Sequence, residues 1–127
     1  MSVKFNIVER PNPQDREAPK KFYPSIQASG RMSLRQLSKR ISQMCTVSSP
    51  DTLAVLESML AIIPEELANG NIVELGDFGS FWLRNNAQGA EAADKVSASQ
   101  VTNVLPRFNP GKEFKKALTG VDFEKVQ

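Results

Sequence analysis

The chain has 127 residues, of which 40% are hydrophobic and 24% charged, with a formal net charge of +2. This size and composition are typical of one globular domain with at most a short appendage. With no histidine and a single cysteine, the sequence excludes an internal disulfide and argues against a metal site, and it has no glycine-rich phosphate loop. We therefore predict no enzyme, no cofactor and no small-molecule substrate. We also predict a cytoplasmic protein, because the chain contains neither a signal peptide nor a membrane span.

The first predicted unit covers residues 1–30 and is extended. Val3, Phe5 and Ile7 alternate with polar residues, which is the pattern of a strand. Three prolines between residues 10 and 19 exclude a helix there, and a second extended piece follows at residues 21–28. We expect the first strand to pair with this second piece through a long loop, or to pair with the main sheet.

A first amphipathic helix is predicted to begin after Ser33, which is a good N-cap. Its apolar face is formed by residues at helical spacing, namely Leu34, Leu37, Ile41 and Met44. Cys45 follows that face, so we expect a buried, inert thiol.

A second helix is predicted to have Ser49 as its N-cap and Pro50 as its first residue, and to end at Asn69 and Gly70. Pro64 lies within it and should kink or divide it. Apolar residues occupy two of its faces, one with Leu53, Leu56, Leu60, Ile63 and Leu67 and the other with Val55, Met59 and Ile62. A helix that is apolar on two sides must be buried on two sides, and this predicts a homodimer.

The next part of the chain is predicted to be a sheet. Residues 71–75 form a strand, and Gly76 and Gly79 mark a sharp corner after it. Residues 85–94 are small and polar and indicate a loop or hairpin tip. Residues 95–108 are rich in valine, threonine and serine and indicate a returning strand.

A short basic helix is predicted to follow this strand. Asn109 and Pro110 supply its cap and first residue, and it continues to Leu118. Its spacing directs three lysines outward, Lys112, Lys115 and Lys116. Residues 120–127 are then left as a C-terminal tail.

Two phrases in this order are similar to the bacterial histone-like HU/IHF family. GNIVELGDFGSFWLR at residues 70–84 resembles the family pattern L-x-G-F-G-x-F-x-V-R, with Asp77 in place of a glycine. LPRFNPGKEFKKAL at residues 105–118 resembles the pattern P-x-F-x-P-G-K-x-L-K. The resemblance covers roughly residues 33–118. The chain is similar to a divergent branch of the family that carries an N-terminal extension.

The resemblance implies an α+β fold and an intertwined homodimer. A helical hairpin forms the body, and an antiparallel β-sheet forms a saddle with an arm and a short C-terminal helix. The implied organisation is an N-terminal extended segment at residues 1–30, an HU-like domain at residues 31–119 and a C-terminal tail at residues 120–127. In this family, basic arms wrap the minor groove and a proline at each tip kinks the duplex.

The resemblance also implies a function, namely architectural binding of double-stranded DNA in the bacterial nucleoid with low sequence specificity. Arg84 matches the arginine at the base of the arm, and Lys112 and Lys115 match basic positions of the C-terminal helix. Three further residues complete the predicted DNA-binding set because of their charge and position, namely Lys95, Arg107 and Lys116.

The predicted arm departs from the family pattern. Between residues 85 and 103 the only charged residues are Glu91, Asp94 and Lys95, and there is no proline or arginine. This leaves a second hypothesis open, in which the HU-like dimer is a scaffold or protein-interaction module without significant DNA binding.

Overall fold

The computed structural model describes residues 2–126 and divides them into two compact units. One unit holds the chain up to Ser33 together with the chain from Leu118 onward, and the other holds residues 34–117. In chain order the elements are β1 Ser2–Arg10, β2 Lys21–Gln27, α1 Leu34–Met44, α2 Ser49–Ala68, β3 Val73–Glu74, β4 Gly79–Ala87, β5 Val101–Pro110, α3 Lys112–Ala117 and β6 Asp122–Lys125. The predicted α+β class is confirmed.

The first unit is a three-stranded sheet in the order β2-β1-β6. β1 and β2 are antiparallel, with Lys4 opposite Gln27 and Arg10 opposite Lys21, so the predicted hairpin is confirmed. β6 pairs with the other edge of β1 in parallel, from Ser2 opposite Asp122 onward. The residues predicted as a C-terminal tail therefore contribute a strand to this sheet, which sequence alternation over only four residues did not reveal.

α1 and α2 form the helical part of the second unit. The N-cap of α2 is Ser48 rather than the predicted Ser49: its Oγ accepts a hydrogen bond from the Asp51 amide at 3.3 Å. The Thr52 hydroxyl donates to the Ser48 carbonyl at 2.8 Å and strengthens the same turn. Sequence alone could not choose between two adjacent serines, because both precede Pro50.

α2 runs unbroken through Pro64, so the predicted division of this helix did not occur. A proline removes its own N–H donor and its ring crowds the carbonyl four residues earlier, yet the helix continues on both sides of Pro64. The predicted end of the helix is confirmed, because Asn69 is the C-cap and Gly70 follows with φ of +90°. A positive φ of this size favours glycine, which has no Cβ to collide with the backbone.

The prediction of a buried cysteine is wrong. Cys45 lies one residue beyond the end of α1, where the helical face no longer continues, and it is exposed. Its Sγ donates to the Ile41 carbonyl at 3.2 Å. The fully buried side chain of α1 is instead that of Ser38, whose hydroxyl donates to the Arg35 carbonyl at 2.7 Å.

β4 and β5 form a long antiparallel ribbon, and the two-residue β3 pairs with the start of β4. The ribbon is paired from Gly79 opposite Pro110 to Ala87 opposite Val101, with an irregularity in register near its far end. Residues 88–100 connect the strands through two short 3₁₀ turns, and the Gln88 amide donates to the Gln100 carbonyl at 3.0 Å. The returning strand thus starts at Val101 and not at Lys95 as predicted, because its first residues are used in these turns.

α3 begins at Lys112, so the predicted helix start at Asn109 and Pro110 is wrong. Both residues instead end β5, because Pro110 pairs with Gly79 and needs no N–H donor to do so. The chain turns at Gly111, whose amide donates to the Phe78 carbonyl at 2.9 Å. A Cβ at Gly111 would overlap the Asp77 carbonyl, so this turn requires glycine.

Four phenylalanines hold three elements together: the ribbon, the 3₁₀ turn Gly76–Phe78 before it, and α3. Phe108 lies at the centre, with its ring centroid 5.7 Å from Phe78, 4.9 Å from Phe81 and 5.8 Å from Phe114. Phe114 also meets Phe78 edge to face at 4.7 Å. These are favourable aromatic geometries, and they fix α3 against the ribbon.

Candidate nucleic-acid interface

The two faces of the β4–β5 ribbon carry different chemistry. Successive residues of a strand point to opposite faces, and residues directly opposite each other in a pair share a face. Phe81 is opposite Phe108, which places the phenylalanine cluster on one face. Trp82 is opposite Arg107, so this pair lies on the other face. Arg84 is two residues beyond Trp82 and therefore lies on the same face as Trp82 and Arg107.

We call this second face the arginine face. It consists of eight residues in the paired region, namely Ser80, Trp82, Arg84 and Asn86 from β4 and Asn103, Leu105, Arg107 and Asn109 from β5. None of these eight is acidic. The nearest acid by register is Glu74 of β3, which is opposite Ser80 at the end of the face. Both guanidinium groups are exposed, so the face presents two positive charges to solvent.

The three lysines of α3 form a separate basic group. Lys112, Lys115 and Lys116 are at helical spacings i, i+3 and i+4, so they lie along one side of the helix, and all three are exposed. Phe114 points the other way and contacts Phe108 on the phenylalanine face. The lysines and the arginine face are therefore associated with opposite faces of the ribbon.

Lys95 is separate from both groups. It ends the 3₁₀ turn Ala93–Lys95 in the connection between the strands, past the last paired residues Ala87 and Val101. Its chain neighbour Asp94 carries the opposite charge. The six predicted residues thus fall into three groups: an arginine pair on one face, a lysine row on α3, and a lone lysine at the end of the ribbon.

The charge of the second unit as a whole is balanced. Residues 34–117 contain nine basic and nine acidic residues, so their formal net charge is zero. Any attraction for a polyanion must therefore come from where the charges lie and not from their total. The acid-free arginine face is one such place, and α1, which has three exposed basic residues and no acidic residue, is another.

The sequence-based selection of site residues omitted Trp82. The signal was present, because in the segment SFWLR the alternation puts Trp82 on the same side as Arg84 and opposite to Phe81 and Leu83. What the sequence lacked was the register that sets Arg107 directly across from it. Within residues 2–126 no group of three or more acidic or cysteine side chains is placed to hold a metal ion, and no helix is long and apolar enough to cross a membrane.

Comparison with known proteins gives matches consistent with this fold. Residues 1–125 match the family model described as an HU domain fused to a wHTH, Ig or glycine-rich motif. DNA-binding protein HU of Thermotoga maritima is 29% identical over 87 residues, which cover 67% of this chain and 97% of that protein.

Two solved structures share the fold. A putative bacterial DNA-binding protein from Bacteroides vulgatus superposes with a TM-score of 0.68 at 13% identity, over 98% of this chain and 48% of that one. This chain therefore spans about half the length of the Bacteroides protein. HU from Anabaena, solved with DNA, superposes with a TM-score of 0.56 at 24% identity, over 70% of this chain and 99% of that one.

The predicted relationship to the bacterial HU/IHF family is confirmed, and so is the fold that it implied. The family match covers the N-terminal sheet as well as the helices and ribbon, since it extends over residues 1–125. This chain belongs to the HU-HIG family of HU domains.

Proposed function

We propose that this protein is an architectural DNA-binding protein of the bacterial nucleoid that binds duplex DNA as a homodimer and with low sequence specificity. The observation that carries the proposal is the arginine face, an acid-free surface on the ribbon of a chain that belongs to the HU-HIG family. The relatives and structural neighbours described above are named as DNA-binding proteins, and this supports a cytoplasmic, non-enzymatic role.

The homodimer is supported by the apolar surface of the single chain. Among the described residues the buried hydrophobic core consists of Leu67 alone, at 6% exposure. On α2, Val55 is 65% exposed and Leu60 is 52% exposed. A second copy that packs against α2 would cover these side chains on both molecules.

The low sequence specificity follows from the type of contact that the basic groups can make. Lysine ammonium groups on a short helix and exposed guanidinium groups on a sheet face suit phosphate oxygens, and phosphate contacts carry no direct sequence information. Backbone electrostatics should therefore dominate binding.

The connection at the end of the ribbon should contribute little to this affinity. Residues 85–103 have a formal net charge of −1, from Glu91, Asp94 and Lys95, and they lack a proline that could act as a wedge between base pairs. We infer weaker binding than a basic arm would give, because fewer counterions are released on binding. We also infer a smaller bend, because no proline is present to wedge between base pairs.

One observation favours a second candidate function. The net charge of zero over residues 34–117 is unusual for a surface that must attract a polyanion, and it suits a dimeric scaffold that binds another protein. In this alternative the N-terminal sheet would supply the protein-binding edge.

Salt-dependent binding distinguishes the two candidates. Fluorescence anisotropy of a labelled duplex, titrated with the full chain from low to physiological salt, should show binding that weakens as salt rises and is similar for unrelated sequences. The slope of log K against log salt should be about −0.9 for each phosphate contacted. Light scattering at the same concentrations should give the mass of a dimer. Absence of binding at low salt, with an intact dimer, would contradict the DNA-binding proposal and support the scaffold.

A further inference from the structure

We propose that Trp82 is a DNA-contacting residue and that the flat face of its indole ring packs directly on nucleic acid, beside the two arginines. This inference rests on the proposed DNA-binding function and adds to it a contact that does not depend on charge. Trp82 is the only tryptophan of the chain.

The position of Trp82 suits a binding residue. It lies on the arginine face, away from the phenylalanine cluster, so its side chain is not used to hold the ribbon to α3. It remains 36% exposed, although a tryptophan is large and is usually well buried. An aromatic ring held at the surface in this way is typical of a binding contact.

The charge around the indole ring is positive. Arg107 is directly across the ribbon from Trp82, and Arg84 is its nearest neighbour along the strand on the same face. Side chains at these positions lie about 5–7 Å apart at their Cβ atoms. An occupant that covers the indole must therefore satisfy two exposed guanidinium groups.

Nucleic acid has the complementary chemistry. In a duplex its sugars and groove walls offer apolar surface, and its phosphates recur beside that surface within reach of two neighbouring arginines. A protein partner would need two carboxylates next to one apolar side chain, whereas any stretch of DNA backbone provides this arrangement. Charge complementarity therefore favours DNA as the occupant of the arginine face.

The contact should be visible in the fluorescence of the full-length protein. Because Trp82 is the only indole, titration with an unlabelled duplex at low salt should quench its emission and shift the emission maximum, with saturation at the same concentration as in anisotropy. If anisotropy shows saturated binding while the emission of Trp82 is unchanged, the inference is wrong and the DNA-binding proposal stands.

Substitution separates the indole contact from the charge contacts. Trp82→Ala should weaken duplex binding about tenfold at every salt concentration, in line with the cost of truncating an aromatic side chain that is buried at an interface. The slope of log K against log salt should not change. Arg84→Ala should instead reduce that slope by about two, because the homodimer loses one phosphate contact from each protomer. A Trp82→Ala protein that binds as tightly as the wild type would overturn the inference.

Two controls test whether the loss is specific. Trp82→Phe keeps an aromatic ring and should recover most of the affinity. Light scattering and circular dichroism of Trp82→Ala test whether its loss of affinity comes instead from a defect in subunit assembly or folding. Phe22→Ala removes an aromatic side chain that is 68% exposed on the N-terminal sheet, and it should change affinity less than twofold. An equal loss in Phe22→Ala would contradict the assignment of the contact to Trp82. If the wild type binds no duplex at low salt, both the inference and the proposed function are wrong.

Discussion

The two faces of the β4–β5 ribbon show how one alternating sequence can serve stability on one side and recognition on the other. On the phenylalanine face, Phe108 contacts three other rings and joins β4, α3 and the turn between β3 and β4. On the arginine face, Trp82 is opposite Arg107, and no ring contact involves Trp82 among the described residues. Residues one position apart in the segment 80–84 should therefore differ when mutated: one face should affect the free energy of unfolding, and the other the affinity for DNA.

The largest effect is expected on the phenylalanine face. Phe108→Ala removes the central ring of the cluster and should lower the free energy of unfolding by about 3 kcal/mol, at the low end for phenylalanine because the ring is partly exposed. Urea denaturation followed by circular dichroism measures this. Trp82→Ala is the matched control on the opposite face and should cost less than about 1 kcal/mol. Equal losses for the two variants would show that the faces do not differ as described.

A smaller loss of stability is expected from substitution of Gly79, which lies against Phe108 of the phenylalanine cluster. Gly79 has φ of +152°, and a Cβ there would lie 2.6 Å from the Asn109 carbonyl oxygen and from the Phe108 ring. Gly79→Ala should therefore cost about 2 kcal/mol in the free energy of unfolding. Gly89→Ala is the control, because a Cβ at Gly89 meets nothing within 4 Å, and it should be neutral to within about 0.5 kcal/mol. Thermal unfolding measures the stability of both variants. A Gly79→Ala protein as stable as Gly89→Ala would contradict this prediction.

The arginine face should control binding and leave stability nearly unchanged. Arg84→Ala combined with Arg107→Ala removes two contacts from each protomer, so it should reduce the slope of log K against log salt by about four and weaken binding to all duplexes alike. Replacing Lys112, Lys115 and Lys116 by alanine should act in the same direction and add to the arginine effect, because the two groups belong to opposite faces of the ribbon. Anisotropy over a salt series on two unrelated sequences tests this. Sequence-selective losses would point to base contacts instead.

The smallest effect is expected at the end of the ribbon. Lys95→Ala should change the affinity for duplex DNA less than about twofold, because Lys95 is one exposed charge beside Asp94 and its contribution is screened by salt. The Arg84→Ala variant is the comparison, since it removes the same charge from the arginine face. If Lys95→Ala lowers the affinity as much as Arg84→Ala does, the DNA contact extends to the end of the ribbon, contrary to this prediction.

Local sequence signals predicted the elements well where a single helix or strand carried the pattern. Apolar spacing located α1, alternation located β1, and Asn69 with Gly70 marked the end of α2. Boundaries that depend on hydrogen bonds elsewhere were less accurate. Pro110 looks like the first residue of a helix, yet it ends β5 because Gly79 lies opposite it.

The candidate site was only partly predictable for the same reason. The identities of its charged residues can be read directly, and their grouping cannot. Whether Arg107 shares a face with Arg84 depends on the register between β4 and β5, and a slip of one residue would have put Arg107 beside the phenylalanines. The six predicted residues remain a prediction, and the structure adds Trp82 as the residue that this register places beside both arginines.

The sequence by itself determined the family, the order of helices and strands, and the presence of apolar and polar faces, because these depend on residues close together in the chain. Tertiary structure alone decided that β6 pairs with β1, that α3 packs on the phenylalanine face, and that the basic residues form separate groups. Each of these arrangements joins residues that are far apart in sequence. Their energies come from backbone pairing and ring packing, which no local pattern specifies.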